Sequence, residues 1–414
     1  MISTLKLATR NLLRYRRRTL LTALLIMLGV TALLLFVAAA GSFKQTMVGS
    51  ITDSMLGHLQ IHRKGYTASI DNLPLNMSLQ PGLVSKIEAA LKTEPDVAAY
   101  SLRVKLGAMF SNFTENTSIR LNGIDPVAED ATVPGLRQRI NEGDKSGSLV
   151  LPGSVLIPTL LARGMKVKVG DSVVLVVTNA SGSVNGKTFT VGGVLDGVTG
   201  PGGRDGYIHI DDARELLRME KPEVMEIAVR LKSIATLATT QQRLARAFDE
   251  IRNKEGKVVT ELHSWADLSP FANIVRMIDL MTLFIRIMLI AIVLVSVMNV
   301  MLMAVYERIR EIGTLAAIGT QPGKLMAIFL AEGLLLGLAG AAAGIAFSSA
   351  LVAALNISPL VFAFGREQVT LHPHLALAEV LGVLGLAVFV SGLASLQPAW
   401  RAARMDPIQA LRHV

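Results

Sequence analysis

Cysteine is absent from the 414 residues of this chain. That absence excludes a disulfide scaffold, a thiolate metal site and a cysteine nucleophile. Charged residues are scarce as well, at 18%, whereas hydrophobic residues reach 51% of the sequence. An average soluble domain contains about 25% charged residues, so this composition favours a protein that is embedded in a membrane.

Motifs for nucleotide hydrolysis and for metal binding are missing too. The segments GSVNGKT (182–188) and GTQPGK (319–324) come nearest to a phosphate-binding loop, but each has three residues between its glycines where that loop needs four. The histidine pairs His58 with His62 and His372 with His374 have no carboxylate or thiolate at metal-ligand spacing. We therefore interpret them as surface residues and expect no catalytic residue, metal ion or cofactor in this chain.

Four long hydrophobic runs are present, and each can cross a bilayer, which requires roughly 20 helical residues. These runs divide the chain into successive segments. We predict a cytoplasmic amphipathic helix at 1–18, a first span at 19–41 whose helix extends to about 56, an extracytoplasmic domain at 42–273, a stalk and second span at 274–305, a cytoplasmic loop at 306–324, a third span at 325–355, a short outer loop at 356–374, a fourth span at 375–397 and a cytoplasmic tail at 398–414.

The basic residues indicate how the chain is oriented. The formal net charge is +9, and the excess lies before the first span, in the 306–324 loop and in the tail, whereas Lys and Arg nearly balance Asp and Glu within 42–273. By the positive-inside rule, both termini and this loop are cytoplasmic. The charge therefore requires no nucleic acid partner.

Two alternatives concern the N-terminus. A cleavable signal peptide is one, but the apolar run at 19–41 is longer than the core of about 15 residues in such a segment. Residues 1–18 either form an amphipathic helix on the inner membrane surface or are an ordinary basic flank of the first span.

The extracytoplasmic segment has the pattern of a mixed α and β domain. Leu59 and Ile61 alternate with polar residues in GHLQIHRKGY (57–66), as in a half-buried strand. Residues 148–210 form a small β-rich insert, in which we predict a hairpin that turns at Asn185-Gly186 because this pair tolerates positive φ. We expect the remainder to be a porter-like α+β unit.

Small residues recur every four positions in the third span. They form two stripes, which are Gly333 with Gly337 and Ala341, and Gly340 with Gly344 and Ser348. Such stripes let helix backbones approach closely in lipid, although glycine and alanine are also simply common in spans. Glu332 lies about two turns into this span, where a carboxylate costs a few kcal/mol unless it is paired or hydrated. It either pairs with an arginine near the cytoplasmic edge or extends toward the membrane surface.

The stretch YERIREIGTLAAIGTQPGKL (306–325) stands between the second and third spans. Ile309, Ile312 and Leu315 share one helical face, and charged residues occupy the others. A short amphipathic helix of this kind docks into the groove of a cytoplasmic partner, or it packs on lipid as an interfacial turn. The residues alone leave both interpretations open.

Two segments resemble a known family of membrane proteins. ERIREIGTLAAIGTQPGKLMAIFLAEGLLLGLAGAAAGI (307–345) and LQPAWRAARMDPIQALR (396–412) are similar to sequences of the macrolide-exporter-like ABC permeases. This superfamily includes the lipoprotein-releasing permeases and the cell-division permease. GHLQIHRKGY (57–66) most resembles the lipoprotein-releasing branch, and the resemblance extends over nearly the whole chain.

The resemblance implies a dimeric permease in the bacterial inner membrane, formed with a second copy or a paralogue. A separate cytoplasmic ABC ATPase would bind ATP and Mg, and closure of the first two spans would move the outer domains. The residues implied to contact the ATPase are Glu307, Arg308, Arg310, Glu311, Ile312, Leu315, Ile318 and Gly319.

We expect release of a lipoprotein or another amphiphile to a periplasmic acceptor or adaptor, with DGVTGPGGRDG (196–206) as a candidate partner loop. The alternative within the family is mechanotransmission to an efflux duct or a cell-wall hydrolase. A membrane-anchored receptor without an ATPase is the alternative from another class.

Overall fold

The computed structural model describes residues 2–197, 204–252, 256–357, 360–364 and 367–406. Most of the candidate partner loop, residues 198–203, lies outside this described part. The α-helices are α1 (Ile2–Arg14), α2 (Arg16–Ile51), α3 (Pro81–Thr93), α4 (Pro126–Thr132), α5 (Gly135–Gln138), α6 (Thr159–Gly164), α7 (Ile210–Leu217), α8 (Leu237–Asp249), α9 (Trp265–Leu268), α10 (Ala272–Glu307), α11 (Ile309–Ala317), α12 (Pro322–Ile357) and α13 (Leu377–Ala403).

Strands and short turns complete the described elements. The strands are β1 (Leu59–Arg63), β2 (Val97–Ser111), β3 (Asn116–Ile124), β4 (Ile140–Gly143), β5 (Ser154–Pro158), β6 (Ser172–Thr178), β7 (Val184–Leu195), β8 (Gly206–His209), β9 (Glu226–Leu231), β10 (Thr260–Ser264), β11 (Leu360–Phe364) and β12 (Glu367–Leu371). A π turn covers Thr52–Leu56, and 3₁₀ turns cover Thr67–Asn72 and Ile234–Thr236.

The chain divides into two compact units. The first, the membrane unit, joins Met1–Gln45, Val275–Ala363 and Gln368–Val414, and the second, the outer unit, consists of Thr46–Ile274 with Phe364–Glu367. Within the described ranges, α2, α10, α12 and α13 are long and apolar enough to cross a membrane. Four spans with a large α/β domain between the first and the second are therefore confirmed.

Helix α2 is longer than a membrane is thick. At about 1.5 Å per residue, its 36 residues reach about 54 Å. The hydrocarbon core of a bilayer measures about 30 Å. The helix therefore continues well past the length that a span requires.

Two seams of small residues hold α12 against its neighbours in the membrane unit. Gly333 and Gly337 face Ser395 and Ser391 of α13, so closely that a Cβ atom on either glycine would collide with the serine side chain. On another face, a Cβ on Gly340 would lie 2.7 Å from Ile26 Cβ of α2. On the same face, a Cβ on Gly344 would lie 2.8 Å from Val30 Cβ of α2. Each predicted stripe thus serves a different neighbouring helix.

The outer unit is built on one mixed sheet. Its strand order is β10-β1-β9-β2-β3-β8-β5-β7-β4, and β6 pairs with both β2 and β7. The β3–β8 and β5–β7 pairs are parallel, and the others are antiparallel. Apolar side chains of α3, α7 and α8 pack on one face of the sheet, where Ile61, Val104 and Leu244 belong to the same buried core.

Strand β1 corrects the interpretation of two histidines as surface residues. His62 is fully buried because β1 lies between β9 and β10 and both of its faces are covered, and His58, which directly precedes the strand, is 6% exposed. His58 Nδ1 accepts a hydrogen bond from the amide of Leu231 at 2.9 Å, and His62 Nε2 lies 3.2 Å from Glu226 Oε2. The prediction of a half-buried strand was wrong. The face of β1 that carries Gln60 and His62 is polar, but it is covered as completely as the apolar face.

The predicted hairpin exists, but its turn lies elsewhere. Strands β6 and β7 are joined by residues 179–183, and Asn185-Gly186 lies inside β7. Asn179 Oδ1 accepts hydrogen bonds from the amides of Ser181 and Ser183, and Gly182 has a φ of +83°. An Asx-type turn therefore replaces the two-residue turn. Strands β5 to β8 of the 148–210 segment pair with one another and with β2 and β3 in the main sheet.

Candidate functional site

The loop between α10 and α12 folds as a short helix, α11, with defined ends. Arg308 has φ −114° and ψ 18°, which interrupts the helix between Glu307 and Ile309. At the other end, the amide of Gly319 bonds to the carbonyl of Ala316 and the amide of Thr320 to that of Leu315. These two bonds form a Schellman motif, which places Gly319 at φ +92°, a conformation that glycine adopts without strain.

The side chains of α11 separate into an outward group and an inward group. Ile318 is 79% exposed and Leu315 is 43% exposed, although both are apolar. The other predicted contact residues that lie on the surface are Glu307, Arg310, Glu311 and Gly319. Arg308 and Ile312 are buried instead, so they offer no surface to a partner in this structure. Ile312 packs in the apolar core of the membrane unit.

Glu332 is the acceptor at the centre of a buried polar cluster. Its Oε1 accepts a hydrogen bond from Asn11 Nδ2 at 2.6 Å and one from Arg308 Nη1 at 3.0 Å. The side chains of Glu332 and Arg308 are only 2% and 5% exposed. Of the two alternatives for this carboxylate, the structure shows pairing with an arginine. A charge at this depth is expensive without a partner, and the pair supplies one.

Arg308 is held from a second side by α1 and the residue that follows it. Its Nη2 donates to the carbonyl of Asn11 at 3.4 Å, and its guanidinium carbon lies 4.8 Å from the centre of the Tyr15 ring. The ring face attracts a cation, and the interaction strengthens where water is excluded. The arginine therefore joins α11, α12 and the N-terminal segment.

Two further ion pairs connect the N-terminal segment to the same loop. Arg14 Nη1 lies 3.1 Å from Glu311 Oε1, and Arg18 Nη1 lies 2.8 Å from Glu307 Oε2. The first pair is more than half exposed, so it contributes about 0–1 kcal/mol at most. Arginines before the first span thus contact carboxylates of the protein.

Sequence reasoning missed Asn11 and Tyr15 as members of this site. The available signal was spacing, because Asn11, Arg14, Tyr15 and Arg18 follow one another at intervals of three, one and three residues. Such intervals place side chains on one side of a helix. These four residues give the N-terminal segment one polar and aromatic face, which an ordinary basic flank does not require.

Comparison with known proteins gives two family matches along the chain. Residues 19–247 match the model of the MacB-like periplasmic core domain, and residues 283–407 match the FtsX-like permease C-terminal model. Together the two matches run from the first span to the last.

The chain is also similar to individual proteins. The chain is 24% identical over 299 residues to the lipoprotein-releasing system transmembrane protein LolC of Haemophilus influenzae, covering 70% of this chain and 71% of that protein. It is 24% identical over 412 residues to the LolC protein of Xylella fastidiosa, covering 94% and 92%. Among solved structures, the periplasmic region of MacB from Actinobacillus actinomycetemcomitans covers 53% of this chain and 94% of that one, with 12% identity and a TM-score of 0.36.

Proposed function

This chain belongs to the family of ABC transporter permeases with a MacB-like periplasmic core and an FtsX-like permease domain, and from that premise we propose that it releases lipoproteins from the inner membrane. As a family member it is a transport permease subunit with several spans in the inner membrane. Two relatives that it matches over most of their length are named as parts of a lipoprotein-releasing system. The proposed cargo is a lipoprotein or a related amphiphile in the outer leaflet.

The observation that carries the proposal is the surface of α11. Leu315 and Ile318 are exposed apolar side chains beside Glu311 and Arg310, on a helix whose two ends are fixed. Exposed apolar side chains next to charged ones on a short helix are typical of a docking surface. We assign this surface to a separate ATPase, which binds ATP and Mg, and we place the loop and both termini in the cytoplasm.

Arg308 and Ile312 receive a different role in this proposal. Because both are buried, they anchor α11 to the membrane unit and do not contact the ATPase. Arg308 passes a displacement of α11 to Glu332 on α12 through a hydrogen bond of 3.0 Å. The buried pair is therefore the first link between the docking surface and the spans.

The proposed output is movement of the outer unit in a dimer with a second copy or a paralogue. Helix α2 has the length to carry such movement past the membrane, about 54 Å by its 36 residues at about 1.5 Å each. Mechanotransmission for efflux or for a cell-wall hydrolase would use the same parts. The lipoprotein-release assignment is preferred because of the relatives.

The test replaces both outward apolar residues, as Leu315→Asp with Ile318→Asp. We expect the co-purifying ATPase to be lost, because two carboxylates would face its apolar groove. ATP-dependent release of lipoproteins labelled with alkynyl palmitate from spheroplasts should stop as well. The matched control is Ile357→Asp, which alters an 83% exposed apolar residue at the other end of α12. Retention of a stimulated ATPase by the double variant would refute the assignment of this surface.

A further inference from the structure

The sheet of the outer unit has a polar face as well as an apolar one. On that face, His62 pairs with Glu226 across β1 and β9, and Glu226 pairs with Arg103 across β9 and β2. Lys105 and Asn122 are opposite one another on β2 and β3. A covered sheet face normally carries apolar side chains, so buried polar groups on such a face are candidates for a functional site.

The charges in this face are paired with one another. Arg103 donates to Glu129 at 2.6 and 3.1 Å and to Glu226 at 2.7 Å, and Lys105 Nζ lies 2.6 Å from Glu226. Burial acts to raise the pKa of Glu226, but Lys105, His62 and Arg103 together hold it well below its usual value. The group is therefore a neutral set of two cations and two carboxylates around an uncharged histidine, whose pKa is lowered by burial.

A cavity of about 290 Å³ opens beside this charged set. Its lining contains both apolar and polar side chains. The apolar ones are Met55, Leu56, Ile70, Leu73, Leu121 and Leu268, and the polar ones are Gln60, Asp71, Arg103, Lys105, Arg120, Asn122, Asp205 and Tyr207. Cavities with an apolar lining, a few convergent polar groups and titratable groups with shifted pKa values are typical of ligand sites.

Two residues that line the cavity have unusual features. Gln60 is 1% exposed, and its Nε2 donates to the carbonyl of Leu56, yet its Oε1 has no hydrogen-bond partner within the described residues. Leu73 has φ +47° and ψ +61°, which is unfavourable for a bulky residue and costs about 1–3 kcal/mol. Unpaired buried acceptors and strained residues both occur where a ligand is held.

We propose that this cavity binds part of a fatty-acyl chain together with the neutral ester or amide group that carries it. The acyl chain lies along Leu56, Leu73 and Leu268. Lys105, whose side chain is 12% exposed and lines the cavity, donates to the carbonyl of that group.

A neutral head group suits the site better than a phosphate does. The cations of the wall already have carboxylate partners, since Lys105 contacts Glu226 at 2.6 Å and Arg120 contacts Asp71 at 3.5 Å. A phosphate would therefore meet little unbalanced positive charge. The acylated amino terminus of a lipoprotein has the required combination of acyl chains, esters and amides, so we assign that source. This assignment rests on the proposed function.

The experiment uses Trp265 as a reporter. It lies in α9, one turn before the cavity residue Leu268, and the chain has one other tryptophan, Trp400. The full chain carrying Trp400→Phe is placed in nanodiscs and titrated with a synthetic diacylglyceryl-cysteine peptide whose acyl chains are brominated. We expect saturable quenching of Trp265, and no quenching by the same peptide without bromine.

Leu73→Gly tests the cavity without endangering the fold, because glycine relieves the strained φ. We expect an equal or higher melting temperature because the strain is relieved. The dissociation constant of the peptide should increase about tenfold or more, since an apolar side chain is removed from the lining of the cavity. The matched control is Arg218→Gly, which relieves a similar φ of +50° at an exposed site that does not line the cavity. Binding should then equal that of the parent.

Three outcomes would overturn the proposal. The first is absence of quenching, and the second is unchanged binding in the Leu73→Gly variant. The third is equal quenching by a brominated phosphatidylglycerol that the peptide does not displace. That last result would assign the cavity to membrane lipid. Binding is measured without ATP or the ATPase. Failure here with intact ATP-dependent release would therefore leave the proposed function standing.

Discussion

Removal of one partner from the buried Arg308–Glu332 pair should destabilise the membrane unit strongly. In Arg308→Met, the Glu332 carboxylate keeps only the bond from Asn11, at 2.6 Å, and remains 2% exposed. Leaving such a charge without its counter-charge costs about 3–5 kcal/mol. Glu332→Met should cost a similar amount, because the guanidinium of Arg308 then loses its carboxylate and retains a carbonyl at 3.4 Å and the ring of Tyr15.

Replacement of both partners should cost much less than the sum. In the Arg308→Met, Glu332→Met double variant no buried charge is left, and the remaining penalty is the unsatisfied amide of Asn11, about 1–3 kcal/mol. Reversible unfolding of the purified protein in mixed detergent micelles measures the four free energies. The expected interaction between the two sites is about 3 kcal/mol or more in favour of the pair. If the double variant loses as much stability as the two single variants added together, the pairing argument fails.

Further predictions address other parts of the chain. Gly337→Val should lower the stability of the membrane unit by about 1–3 kcal/mol through overpacking, whereas Gly385→Val, where a Cβ meets nothing within 4 Å, should leave unfolding unchanged. Arg18→Glu should cost less than about 1 kcal/mol at this part-exposed pair, and combination with Glu307→Arg should restore the parent melting temperature. Because burial lowers the pKa of His62 below 6.5, protonation favours the unfolded state, so melting temperature should fall as the pH decreases below 6.5. His62→Gln should weaken that pH dependence, and an identical pH profile would contradict it.

The sequence predicted those features of the fold that depend on a single local pattern of residues. Four apolar runs predicted four spans, and glycines at four-residue intervals predicted close packing, because lipid provides no hydrophobic drive between helices and small residues let their backbones approach. Spacing could not reveal that Gly337 faces α13 while Gly340 faces α2. That distinction depends on which helices are neighbours, and neighbours are set by the whole bundle.

Long-range polar contacts were the part that the sequence could not supply. Asn11 and Glu332 are 321 residues apart, and Glu226 is 164 residues from His62. No local pattern identifies such partners, so His62 was assigned to the surface when it is buried. The turn at 179–183 was missed because it depends on the Asn179 side chain, which accepts hydrogen bonds from the amides of the turn. Asn185-Gly186 was predicted instead because its composition is the more common one for a hairpin turn.

The two seams of α12 limit how this helix can be displaced. A sideways shift toward α13 would force Gly337 into Ser391, and a shift toward α2 would force Gly340 into Ile26. The atoms that face the two glycines belong to the side chains of Ser391 and Ile26, and the glycines themselves have no side chain that could move aside. A sideways displacement of α12 therefore requires α2 or α13 to move with it, so the packing couples the positions of the three helices.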